Sequence, residues 1–158
     1  MKYINNKLLG DITILARNSS RKRKNYNFHI SLDERIHRML NVFEIGTYVQ
    51  PHKHENPDKT ETFIILKGKV LVVIFNEVGD ITEFTLLSAN EGNYGIEIPP
   101  RVWHSLIAME NHSVVYEVKD GPYSEITDKN FASWAPKEGD KDCDEYINNI
   151  LRKCKLLI

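Results

Sequence analysis

The sequence predicts an all-β domain, a sandwich or barrel of short antiparallel strands framed by a helix at each end. Three observations lead there. Between Arg35 and Lys119 the chain consists of short β-branched and aromatic runs separated by Gly, Pro, Asn and Asp. None of the intervening stretches is long enough to form the helical crossover that parallel strands require. On either side, residues 5–17 and 142–156 carry apolar positions at helical spacing. The length of 158 residues matches one domain, expected over 1–158: helix and basic segment in 1–34, barrel in 35–119, strap and C-terminal helix in 120–158.

Taken in order, the first element is a helix over 5–17, with Leu8, Leu9, Ile12, Leu15 and Ala16 at helical spacing and Asn5 or Asn6 as N-cap. Ile12 and Ile14 alternate as a strand would, which is the competing pattern. A basic run follows, in which Arg17, Arg21, Lys22, Arg23 and Lys24 meet no acid. Strands are predicted at 36–45, 47–52, 61–66, 69–76, 81–87, 95–99, 103–109 and 113–119. The run VLVVIF at 70–75 lacks polar alternation and reads as a strand buried on both faces. The segment from Gly121 to Pro136 is rich in turn formers yet holds Tyr123, Phe131 and Trp134, so it reads as a strap anchored by these aromatics. The last helix presents Ile147, Ile150, Leu151 and Cys154 on one face, with acids at its start and Arg152, Lys153 and Lys155 at its end, as the helix dipole favours.

Composition excludes several classes. Hydrophobic residues at 41% and charged residues at 27% are globular values, far from the signature of disorder. A net charge of -1 supplies no field to attract nucleic acid or an anionic membrane, so neither is an expected partner. The basic cluster is a local exception: it binds a phosphate or nucleotide diphosphate, or it pairs with the acidic stretch at 138–145. Cys143 and Cys154 would lie about 16 Å apart on one helix, beyond disulfide reach, and read as reduced thiols. With no signal-type apolar segment at the start and no window near 18 apolar residues, the expected compartment is the cytoplasm.

The chemistry concentrates in GTYVQPHKHENPDKTETFIILKG, residues 46–68. Residues two apart in a strand share a face, so His52 and His54 present two imidazoles together. The polar turn ENPDKT can bring Glu61 back beside them, and His104 follows a second Gly/Pro-bounded strand. Three imidazoles and a carboxylate leave open positions in an octahedral site and suit one divalent Zn, Fe, Mn, Ni or Co ion. The plainer reading of each residue alone is a surface or hydrogen-bonded side chain. Tyr48 and Gln50 share parity with the histidines, which makes Tyr48 a candidate acid or base, against the alternative of a buried tyrosine that only satisfies its hydroxyl. Glu117 and Lys119, with Asp128 and Lys129 beyond them, either serve a polar substrate at the rim or pin the strap as ion pairs. His29, His37 and His112 lack ligand spacing and read as structural or surface residues, and Trp103 as core.

The order Gly46, His52, His54, Glu61 and Gly68 resembles the first motif of the cupins, β-barrels of double-stranded β-helix, or jelly-roll, topology. The interval from His54 to Glu61 is longer than usual. Pro99 and His104 resemble the second motif, with Arg101 at its usual glycine position and Ala108 where asparagine is common. A narrower resemblance, carried by NYNFH, GTYVQPHKH, KTETF, EIPPRVWH, YEVKDGPY and DKNFASWAPKEG, is to the WbuC-type cupin-fold metalloproteins of bacterial O-antigen and surface polysaccharide clusters. It implies a cupin barrel with one metal at His52, His54, Glu61 and His104, and a carbohydrate context. The expected function is isomerase- or epimerase-type proton transfer on a sugar or sugar nucleotide, with Tyr48 or Glu117 as the base. An Fe(II)-dependent oxygenase and a non-catalytic sugar-binding or regulatory cupin are the alternatives. The oligomeric state is left open, a homodimer included.

Overall fold

In the computed structural model, which describes residues 1–124 and 129–156, the chain begins with helix α1 (Asn6–Arg17). The Asn5 side chain accepts from the Leu8 backbone N–H at 3.0 Å and so caps the first turn. Ile12 and Ala16, four apart and therefore on one face, are buried against Leu40, Val42 and Val114. Ile14, which strand-like alternation would have buried with Ile12, is 58% exposed.

The strands are β1 (Arg23–Asn27), β2 (Ile36–Phe43), β3 (His52–Lys53), β4 (Glu61–Lys67), β5 (Lys69–Phe75), β6 (Ile81–Ser88), β7 (Gly95–Ile98), β8 (Trp103–Ala108), β9 (Ser113–Asp120) and β10 (Asn130–Phe131). Helix α2 (Cys143–Lys153) follows. The strands form two five-stranded antiparallel sheets, ordered β1-β2-β9-β4-β7 and β10-β3-β8-β5-β6. Facing each other, they make a jelly roll, as the sequence predicts.

Two differences from the predicted elements bear on function. The strand expected over 47–52 is reduced to His52–Lys53, because the preceding segment bonds outward to loops and side chains. Thr47 donates its hydroxyl to Arg21 O, Val49 O accepts from Ser105 Oγ, and the Gln50 amide donates to Ala132 O. Strand β1 was not predicted, since RKNYN has little β propensity. Its pairing with β2 from Arg23↔Phe43 to Asn27↔Met39 supplies the order that local preference does not.

The space between the sheets is filled by Phe43, Phe63, Val70, Val72, Leu106 and Val115 among others. The opposite face of β5 packs Leu71, Val73 and Phe75 against Ile147 and Ile150 of α2, which is why VLVVIF carries no polar alternation. Cys143 and Cys154 are buried free thiols in the same cluster. No helix among the described residues is long and apolar enough to cross a membrane.

The β4–β5 turn depends on Gly68, at φ 72°, where a Cβ would lie 2.9 Å from the Ser113 Cα. A left-handed conformation costs a non-glycine residue about 1–2 kcal/mol, and the backbone clash adds to it. Gly68→Ala is expected to lower the unfolding free energy by more than ~1 kcal/mol in urea titration; an unchanged midpoint would refute this account of the turn.

Within the strap, Asn130–Phe131 pair with β3 and form the edge of the second sheet. Trp134 anchors the strap, with ring centroids 5.2 Å from Phe75 and 5.9 Å from Trp103, and Ala132 and Ala135 are buried beside it. The expectation that Tyr123 and Phe131 are anchors too does not hold. They are 38% and 55% exposed and line a cavity.

Candidate metal centre

β3 is a short strand, and its register pairs His52 directly with His104 on β8. His54 follows β3, and Glu61 opens β4 after the turn. The ligand atoms of these four side chains lie within 4.8 Å of one another, and each residue is at most 3% exposed.

Local hydrogen bonds orient the rings. His52 Nδ1 donates to Gln50 O and His104 Nδ1 to Val102 O, both at 2.9 Å. Each bond holds the proton on Nδ1 and leaves Nε2 with its lone pair, the outer-sphere arrangement that fits a histidine to a metal. His104 Nε2 then stands 2.5 Å from Glu61 Oε1, and His54 Nε2 3.4 Å from the same oxygen. Glu61 Oε1 and His104 Nε2 are buried acceptors with no hydrogen-bond donor between them. A second proton on His104 or a cation must occupy that point, and a cation satisfies all four side chains at once.

The electrostatics agree with this fit. Burial, then the positive charge of Lys129, holds the His52 imidazole well below its ordinary pKa, so it is neutral as a ligand must be. Burial alone would raise Glu61, but His104 and His54 outweigh it and keep the carboxyl well below its ordinary range. Three imidazoles and one carboxylate suit a divalent transition ion with open positions.

The turn that returns Glu61 to the histidines is braced by Arg101. Its backbone N–H donates to His54 O at 3.0 Å, and its guanidinium Nε meets Asp58, within the turn, at 3.0 Å. Arg101 has φ 67°, so the position where the related motif carries glycine keeps the left-handed conformation that glycine favours.

His52 and Glu61 form part of the wall of a cavity of about 390 Å³, a volume within the usual range for small-molecule sites, about 300–1,000 Å³. Glu117 lines it too. Its carboxyl is raised above the ordinary range by burial and then by Glu61, against the opposing influence of Lys119, Lys129 and the Asn41 amide, which donates to Oε2. Lys119 and Lys129 also line the cavity; Asp128 lies outside the described residues.

Tyr48 is elsewhere. Because 47–51 is not a ladder strand, its parity with His52 does not place it on the same face. It packs with Cys143 and Ile147 of the α2 cluster and donates its hydroxyl to Pro136 O at 2.8 Å. Burial, then Tyr146, pushes the phenol far above its ordinary pKa, so the candidate acid or base is a satisfied structural tyrosine. Gln50 does reach the cavity. Trp103 donates its indole N–H to Glu77 at 2.8 Å and lies under Lys53, 4.8 Å from the ring centroid.

Other cavity residues escaped the sequence reading. His29 and His37, expected to be structural or surface residues, stack in parallel at 4.2 Å and line the cavity, while His112 pairs with Glu44 at 2.8 Å away from it. Arg21 and Arg23 of the basic run both bind Glu138, at 2.7 and 2.8 Å, so the expected pairing with the acidic stretch occurs, and it occurs at the cavity wall. The alternation Arg23, Asn25, Asn27 was the available signal, because all three line the cavity while Tyr26 faces the α1 side.

A family model described as Domain of unknown function (DUF6016) matches residues 4–87, just over half of the chain. No curated protein matches it in sequence. Among solved structures, L-ribose isomerase from Cellulomonas parahominis with L-psicose aligns at a TM-score of 0.55 and 14% identity, over 72% of this chain and 70% of that one. KdgF from Halomonas sp. aligns at 0.51 and 18% identity, over 66% and 83%. The capsular polysaccharide assembling protein CapF from Staphylococcus aureus aligns at 0.53 and 17% identity, over 68% of this chain but 28% of that one. These are cupin-fold proteins, and at such identities the likeness is one of fold: this chain has the jelly-roll fold they share.

Proposed function

The chain belongs to the DUF6016 family, a domain of unknown function, and from that premise we propose that it is a single-domain, metal-dependent cupin enzyme that moves a proton on a small carbohydrate. His52, His54, Glu61 and His104 hold one divalent transition metal. When bound, the metal supplies Lewis acidity, which makes a C–H beside a carbonyl more acidic. Glu117 takes the proton from that carbon, with Lys119 and Asn41 setting the position and charge of its carboxyl.

The observation that carries the reading is Glu117 itself, a buried carboxyl lining the same cavity as His52 and Glu61 and raised above its ordinary range by burial and then by Glu61. The resemblance to WbuC-type proteins supports a place in bacterial surface polysaccharide assembly, as does the fold shared with a capsular polysaccharide assembling protein. The fold shared with an L-ribose isomerase supports isomerase or epimerase chemistry over oxidation.

The test is to incubate metal-loaded protein with keto- and aldo-sugars in deuterated water and to follow carbon-bound deuterium by NMR. Exchange is expected to fall about 100-fold in Glu117→Gln, the low end for a general base, with metal content unchanged. Dioxygen uptake with Fe(II) would transfer the protein to the oxygenases. Tight sugar binding without exchange would make it a binding module.

A further inference from the structure

The strand register gives the cavity wall a layout. Glu61 on β4 pairs with Lys119 on β9, which pairs with His37 on β2, so these three form one row across the sheet. The next row inward runs Phe63, Glu117, Met39, Asn27, and the one after it brings Asn41 beside Asn25. Neighbouring strands are about 4.8 Å apart, so Lys119 and His37 stand roughly one and two such steps from Glu61.

The two parts of this wall differ in chemistry. Asn25, Asn27 and Asn41 offer amides that both donate and accept, the match for sugar hydroxyls. The row beside Glu61 offers the Lys119 cation, the His37 Nε2–H being donated to Leu32 O at 3.0 Å. His29 Nδ1 stands 3.2 Å from both the backbone N–H and the carbonyl of Arg38; the tautomer that accepts from the N–H presents Nε2–H as a donor, and the parallel stack on His37 fixes the ring plane. Around the whole cavity, four cationic side chains (Arg21, Arg23, Lys119, Lys129) face three carboxylates (Glu61, Glu117, Glu138). A divalent ion at the proposed centre enlarges that positive surplus.

We propose that the ligand is a monosaccharide carrying one anionic group, a carboxylate or a phosphate. The anion lies against Lys119 and His29, and the hydroxyls meet the asparagines of β1 and β2. This deepens the proposed function and rests on the same cavity being the substrate site.

The test is calorimetric titration of metal-loaded and metal-free protein with galacturonate, glucose 6-phosphate, galactose and inorganic phosphate, with metal content measured on the same samples. At least one anionic sugar is expected to bind roughly tenfold or more tighter than galactose, since a hydrogen bond to a charged group exceeds a neutral one. Whichever anionic sugar shows the preference identifies the anion. Lys119→Met should remove the preference; where that variant does not fold, His29→Phe keeps the ring stack, loses the donor and should reduce it. Asn27→Ala should weaken the anionic sugar and leave inorganic phosphate unchanged. Equal affinity for galactose, or a preference that survives loss of Lys119 or of the His29 donor, overturns the inference. Anion preference in a protein that binds no metal would sink the metal-dependent reading and leave this one standing, and bound metal without preference would do the reverse.

Discussion

Purified protein will carry about one divalent transition metal per chain, and the double substitution His52→Ala, His54→Ala will carry none. The two imidazoles are half of the donor set, and the remaining pair, His104 and Glu61 at 2.5 Å, can satisfy each other through a proton once the cation is gone. The jelly roll should survive, because none of the four side chains belongs to the apolar clusters between the sheets or beneath α2. Circular dichroism is therefore expected to match the parent, while elemental analysis drops to background. The melting temperature should lose only the linkage contribution of the bound ion, and the parent treated with a chelator should lose the same amount. Metal retained by the double variant at parental stoichiometry would refute the centre.

Trp134→Ala should destabilise the protein by about 3 kcal/mol, the low end for removing a tryptophan from a packed site, because the side chain is only partly buried. Trp134 packs on Phe75 and Trp103, and Gly79 at φ 89° approaches its ring so closely that a Cβ there would lie 2.6 Å from it. The ring thus ties the strap to the second sheet and to the β5–β6 turn. At about 2–4 °C per kcal/mol for a chain of this size, the melting temperature should fall by roughly 6–12 °C. Phe131→Ala, at a side chain that lines the cavity and is 55% exposed, should shift it far less. Equal shifts for the two variants, or none for Trp134→Ala, would mean that the strap is not anchored where the structure places its anchor.

Local patterns were the legible ones. Alternation, β-branched runs and turn residues located the long strands to within one or two residues, and the N-cap at Asn5 with Ile12 and Ala16 on one face decided the first helix. The continuous apolar run at 70–75 required cover on both faces of its strand, which α2 and the opposite sheet provide. His52, His54 and Glu61 were legible because their spacing is local, two histidines two residues apart and a polar turn, while His104 was read from its place after a second bounded strand and is brought to them by the β3–β8 pairing.

By itself, then, the sequence determined the antiparallel β architecture, its flanking helices and the His52, His54 and Glu61 group, since each depends on periodicity or turn chemistry within a few residues, whereas His104 joins that group through the pairing of β3 with β8. Only the tertiary structure decided the rest of the site. Tyr48 turned away because the segment before His52 finds its hydrogen bonds in loops, so parity along the chain ceased to report which face a side chain takes. Arg23, Asn25 and Asn27 entered the cavity wall because β2 captured a segment of weak β propensity. His29 and His37, with Lys119 more than eighty residues further on, met because pairing of β2 with β9 joins them. Long-range pairing follows from the burial and hydrogen bonding of the whole sheet, and no window of the sequence contains both partners.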